Sequence, residues 1–84
     1  MKPNPTNILA KKKDKAFLND TRIANHKMAA EHLQAAVRYH LAAAKFYESG
    51  DSVNGAENSL KAQGFMHMAF EEQAANAKFY ALHC

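Results

Sequence analysis

Between residues 21 and 48 the chain runs without glycine or proline, and its apolar side chains cover most of a helix circumference. At 100° per residue, Lys27, Glu31, Gln34, Arg38 and Lys45 fall in one narrow polar stripe. Ile23, Met28, Leu33, Val37, Tyr39, Leu41, Phe46, Tyr47 and the alanines fill most of the rest. His26, His32 and His40 lie within that apolar arc. The arc spans about 240°, well beyond the roughly 100° stripe that one packing partner covers. Such a helix needs several neighbours, so the chain is expected to be all-α and to assemble.

The helix is bounded on both sides. Asn19-Asp20-Thr21 supplies capping side chains just before the periodic segment. Ser49-Gly50-Asp51-Ser52 is the one clear break. Gly50 suits a left-handed C-terminal cap, and Asp51 or Ser52 can cap the next helix. That second helix is predicted over residues 52–82, its start softened by Gly55. Gly64 costs it roughly 1 kcal/mol by propensity and is taken as a site of close helix approach. A turn this short makes the two helices antiparallel neighbours. Helices of roughly 27 residues would be about 40 Å long. The predicted fold is a long antiparallel two-helix hairpin over residues 20–84, dimerising into a four-helix bundle that covers the remaining apolar arc.

Residues 1–19 are expected to form a flexible basic arm. Pro3 and Pro5 with Asn4 and Asn7 break regular structure, while Ile8, Leu9, Phe17 and Leu18 could dock on the body. Residues 1–20 carry five lysines against Asp14 and Asp20, which accounts for the whole net charge of +3. Residues 21–84 are balanced, with six basic and six acidic side chains. A neutral body argues against a nucleic-acid interface on the helices. Lys11-Lys12-Lys13 could touch phosphates or acidic lipids, but a short lysine run is usually a solvated tail. The single cysteine, Cys84, allows no disulfide within the chain. No continuous apolar run of membrane-spanning length and no secretory signal is read, so a cytoplasmic location without membrane association is expected.

A weak internal repeat runs through the chain. Ala42-Ala43-Ala44-Lys45-Phe46-Tyr47 returns 33 residues later as Ala75-Asn76-Ala77-Lys78-Phe79-Tyr80, with Ala36 aligned to Ala69. The period is near that of tetratricopeptide arrays, but one helical pair is too few for a stable array. Ala43-Ala44-Lys45-Phe46-Tyr47-Glu48-Ser49-Gly50-Asp51, followed by Ala56, Ala62, Gly64 and His67, resembles a group of small alanine- and histidine-rich bacterial helical-hairpin proteins of uncharacterised function. The resemblance covers roughly residues 26–83 and implies a helix–turn–helix hairpin with no established chemistry. The chain departs from the group at Phe46, Asn58, Ser59, Leu60 and Phe65, where histidine is common.

Catalytic signatures are weak. His83 and Cys84 are adjacent, which gives poor geometry for a nucleophile and its base. The three glycines form no phosphate loop. His67 and Glu71, at i and i+4, can reach one point and would give four metal ligands if a dimer brought two sets together. The Glu-x-x-His pattern of di-iron bundles is missing, and Met66 and Met68 beside His67 read first as packing material. The expectation is therefore a structural or protein-interaction module without catalysis or cofactor. It would self-associate through Ile23, Leu33, Val37, His40, Leu41, Tyr47, Met66 and Phe70, and could also take an unidentified protein partner. The alternative is a metal-binding bundle using His67 and Glu71 with interface histidines such as His26, His32 or His40.

Overall fold

The computed structural model describes the backbone of residues 5–83 and the side chains of residues 19–82. It consists of α1 (Pro5–Glu48) and α2 (Ser52–His83), packed against each other as a hairpin. The hairpin is a thin rod with principal extents of 71 × 16 × 12 Å. The all-α class and the hairpin expected from the sequence are both present.

The first helix begins at Pro5 and not near Thr21. Proline is favoured at the first helical position, where its missing N–H has no intrahelical partner to lose. From Ile8 to Leu18 the chain holds no glycine or proline and is dominated by strong helix formers. The capping side chains at 19–21 therefore lie inside a helix that propagates through them, and Asn19 Oδ1 accepts a hydrogen bond from Arg22 Nη1 at 3.3 Å. The docking considered for Ile8, Leu9, Phe17 and Leu18 falls outside the described side chains.

The turn is explained by its residue types. Gly50 adopts φ +83°, in the left-handed region that favours glycine. The Gly50 N–H donates to the Tyr47 carbonyl at 3.1 Å and the Asp51 N–H to the Phe46 carbonyl at 2.8 Å. This is the Schellman pattern, which satisfies the last carbonyls of α1. Asp51 then caps α2: its Oδ1 accepts from the Asn54 N–H at 3.1 Å and its Oδ2 from Asn54 Nδ2 at 2.7 Å. Of the two capping candidates, the cap is Asp51 and Ser52 is the first helical residue.

The side chains turned towards the opposite helix recur at alternating spacings of three and four. On α1 they are Asn25, Ala29, His32, Ala36, Tyr39, Ala43 and Phe46; on α2 they are Gly55, Asn58, Ala62, Phe65, Ala69, Glu72, Asn76 and Phe79. This is the heptad seam of a coiled coil, with small residues at seven-residue intervals: Ala29, Ala36 and Ala43 on α1, Gly55, Ala62 and Ala69 on α2. Among the described residues the buried hydrophobic core is alanine alone: Ala29, Ala35, Ala36, Ala43, Ala62 and Ala69. Asn25 Nδ2 donates to Asn76 Oδ1 at 3.0 Å across the seam. Stepping seven residues up α1 and seven down α2 from that pair puts His32 opposite Ala69, Tyr39 opposite Ala62 and Phe46 opposite Gly55. The intervening layers put Ala36 opposite Phe65 and Ala29 opposite Glu72. Each of these layers sets a small side chain against a larger one. The Phe65 ring stacks on Tyr39 at 5.5 Å and lies 5.8 Å from His32, while Lys61 Nζ sits 5.6 Å over the Tyr39 ring.

The same register puts the end of α2 at His83 opposite residue 18, so residues 5–17 continue α1 beyond its partner. Gly64 does not permit a close approach: a Cβ built there meets nothing within 4 Å, because the residue faces away from α1. The close glycine is Gly55, whose Cβ would stand 2.8 Å from Tyr47 Cζ.

The two helical glycines should respond differently to substitution. Gly64→Ala should stabilise the fold by about 1 kcal/mol, since it gains helix propensity without steric cost. Gly55→Ala should yield measurably less, because the Tyr47 ring must move aside; equal gains in thermal melts would contradict that contact. The cap at Asp51 should respond to acid. The side-chain hydrogen bond from Asn54, followed by the one from its backbone, holds the Asp51 carboxyl below its ordinary value of 3.8. A lowered folded pKa contributes stability that is present above the unfolded value and lost as pH falls through the folded value. Melting temperature measured from pH 5 down to pH 2 should therefore carry an acid-sensitive component that Asp51→Asn, itself a good cap, removes.

Candidate functional site

One residue around from each seam position lies a second stripe with the same three–four spacing. On α1 it runs Ile23, His26, Ala30, Leu33, Val37, His40, Ala44, Tyr47. On α2 it runs Ala56, Ser59, Gln63, Met66, Phe70, Gln73, Ala77, Tyr80. In an antiparallel helix pair these positions flank the seam on the same side, so the two stripes form one face of the hairpin. No aspartate, glutamate, lysine or arginine stands on it. The opposite side carries Glu31, Arg38, Lys45, Glu57, Lys61, Glu71 and Lys78. The 33-residue repeat has its structural sense here: it maps each position of the α1 stripe onto the α2 stripe, and seam onto seam.

The charge-free face is open to solvent in the single chain. Val37, Phe70 and Tyr80 are 57%, 56% and 68% exposed, and Ile23 and Tyr47 are half exposed. Leu33 and Met66, closer to the seam, are half-buried, and His40 is exposed. Of the residues singled out from the sequence as interface, all but Leu41 stand on this face. Leu41 lies at the outer edge of α1, beside the polar stripe, and is 60% exposed. These aliphatic and aromatic groups stand outside the seam, whose buried hydrophobic positions hold alanine among the described residues. Contiguous exposed apolar side chains mark interaction surfaces more often than scattered ones do.

The histidines separate into three environments. His26 and His40 stand on the charge-free face. His32 is in the seam, half-buried, with its Nδ1 2.7 Å from Glu72 Oε1. Neither Glu72 nor this pair is singled out from the sequence. The signal was the seven-residue spacing of His32 with Asn25 and Tyr39 and of Glu72 with Phe65 and Phe79. Asn76 Nδ2 also donates to the Arg22 carbonyl at 3.3 Å, so the polar groups of this part of the seam bond across it.

His67 and Glu71 do come together, with His67 Nε2 3.0 Å from Glu71 Oε1, but on the outer side of α2 and largely in water. An exposed pair of this kind contributes about 0–1 kcal/mol. Among the described residues no group of three or more histidine, cysteine, aspartate or glutamate side chains is placed to hold a metal ion. No helix of the described residues is long and apolar enough to cross a membrane. Cys84 and the side chain of His83 lie outside what is described.

Comparison with known proteins returned no matching family model, no matching curated protein and no matching solved structure.

Proposed function

We propose that this protein is a structural or protein-interaction module that self-associates, two hairpins packing face to face as a four-helix bundle, without catalytic chemistry. The observation that carries this reading is the charge-free face along the described hairpin, set outside a seam whose buried hydrophobic residues, among those described, are all alanine. A buried alanine gains far less than a buried leucine or phenylalanine, at about 0.8 kcal/mol per carbon against 1.5–3 kcal/mol per side chain. The single hairpin therefore leaves most of its available hydrophobic stabilisation unused, and a second copy recovers it.

The angle between the two stripes supports the same assembly. One residue of helix is a rotation of about 100°, close to the right angle between neighbours in a square bundle of four. The metal-binding alternative rests on the His67–Glu71 contact. Those residues stand away from the charge-free face, so hairpins joined through that face do not bring two such pairs to one ion.

Light scattering at micromolar concentration should give twice the chain mass of 9.3 kDa. Val37→Glu combined with Phe70→Glu should reduce it to the monomer and lower helicity, because an unpaired buried charge costs several kcal/mol. Leu41→Glu, at the edge, should leave the dimer intact. A wild-type chain that is a stable helical monomer under these conditions would overturn the reading.

A further inference from the structure

The charge-free face is self-complementary in one particular orientation. Read from its two ends, the α1 stripe matches itself about residue 35. If two copies of α1 cross antiparallel at that point, Leu33 meets Val37 of the partner subunit and Ala30 meets His40 of the partner subunit. Further out, His26 meets Ala44 of the partner subunit and Ile23 meets Tyr47 of the partner subunit. Each histidine then faces an alanine, as His32 faces Ala69 within the hairpin. The α2 stripe matches itself about residue 68: Met66 meets Phe70 of the partner subunit, and Gln63 meets Gln73 of the partner subunit. Asn25 opposite Asn76 puts residue 35 opposite residue 66. The two centres are thus within two residues, or about 3 Å, along the rod. One two-fold axis serves both stripes.

We infer that the occupant of this face is a second copy of the chain lying antiparallel to the first, α1 against α1 and α2 against α2, with the two turns at opposite ends. The inference rests on the self-association proposed above and specifies its geometry. A symmetric dimer requires one patch that fits itself, and this face does. The overlap runs over residues 22–48 of α1, about 40 Å by the helical rise. With the 16 Å width of the rod, this buries about 1,300 Å² over both protomers, within the range of stable interfaces.

Hairpins packed parallel would also pair large with small side chains, but two features favour the antiparallel arrangement. Gln63 and Gln73 pair amide to amide across the two-fold, whereas parallel packing sets Gln73 against Ala30. Residues 5–17 extend α1 beyond α2 and carry Lys11, Lys12, Lys13 and Lys15 against Asp14. Parallel hairpins bring two such segments to one end, while antiparallel ones send them to opposite ends.

The test is a distance between nitroxide labels in the full chain, with Cys84→Ser removing the native thiol. Val53→Cys takes the label at a position 79% exposed, next to the turn and off the charge-free face. Pulsed dipolar spectroscopy should give a separation of about 40 Å, set by the rise from residue 35 to the turn in each copy. Mixing chains labelled at Val53→Cys with chains labelled at Leu82→Cys, also well exposed, should add a short distance below about 20 Å, since bundle neighbours lie 8–10 Å apart. A Val53–Val53 separation below about 30 Å, as diagonal helices of parallel hairpins would give, would overturn the antiparallel arrangement while leaving self-association standing. Absence of dipolar coupling together with a monomer mass would overturn both.

Discussion

Close approach of two helices along a seam of alanines is the constraint that shapes the rest of this molecule. Ala62 and Ala69 are fully enclosed, and Ala36 nearly so. Among the described residues no leucine, isoleucine or valine stands in the seam. A seam of small side chains lets the backbones come near each other and removes little apolar area from water. The larger described groups that do enter it are aromatic or polar: Asn25, His32, Tyr39, Phe46, Asn58, Phe65, Glu72, Asn76 and Phe79. The Phe65 ring stacks on Tyr39, and Asn25, His32, Glu72 and Asn76 bond across to the opposite helix. The described aliphatic and methionine side chains consequently stand beside or outside the seam, and a whole face of the described hairpin is free of charge.

Polar groups in such a seam act on register more than on stability. The Asn25–Asn76 amide pair and the His32–Glu72 contact are each made in only one alignment of α1 and α2. Slipping either helix by one heptad would leave four half-buried polar groups without these partners, at roughly 1–3 kcal/mol for each group left unsatisfied. Isolated polar residues in coiled-coil seams are known to fix register in this way. The turn acts in the same direction. Gly50 ends α1, Asp51 begins α2, and no spare residue remains to absorb a slip. The layers of small against large residues are therefore set by the loop and checked by hydrogen bonds.

Much of the hairpin is legible in the sequence because its signals are local. The left-handed glycine at 50, the cap at 51 and the unbroken helical runs on either side depend only on nearby residues. The start of α1 is not, because the capping residues at 19–21 resemble a true N-terminus and only the propensity of the preceding segment carries the helix through them. Gly64 misleads for a related reason: a glycine in a helix signals close packing only if it lies on the seam, and Gly55 does while Gly64 does not. The candidate site divides in the same way. The excess width of the apolar arc is visible, and it leads to Ile23, Leu33, Val37 and Phe70. Which part of the arc α2 covers is not visible, because alanine, histidine and tyrosine are compatible with either stripe. The His32–Glu72 pair needs the register, which is a property of two helices and not of one.

The alanine seam removes little apolar area from water, and the proposed second chain would add to it by covering the exposed face. Association linked to folding makes apparent stability depend on protein concentration by mass action. The decisive measurement is thermal unfolding followed by circular dichroism across a hundredfold range of concentration. A self-associating hairpin should show a melting temperature that rises steadily with concentration, and an unfolding enthalpy that fits a two-state transition from dimer to unfolded monomer. A melting temperature independent of concentration, in a chain that stays helical and monomeric at the lowest concentration, would contradict it.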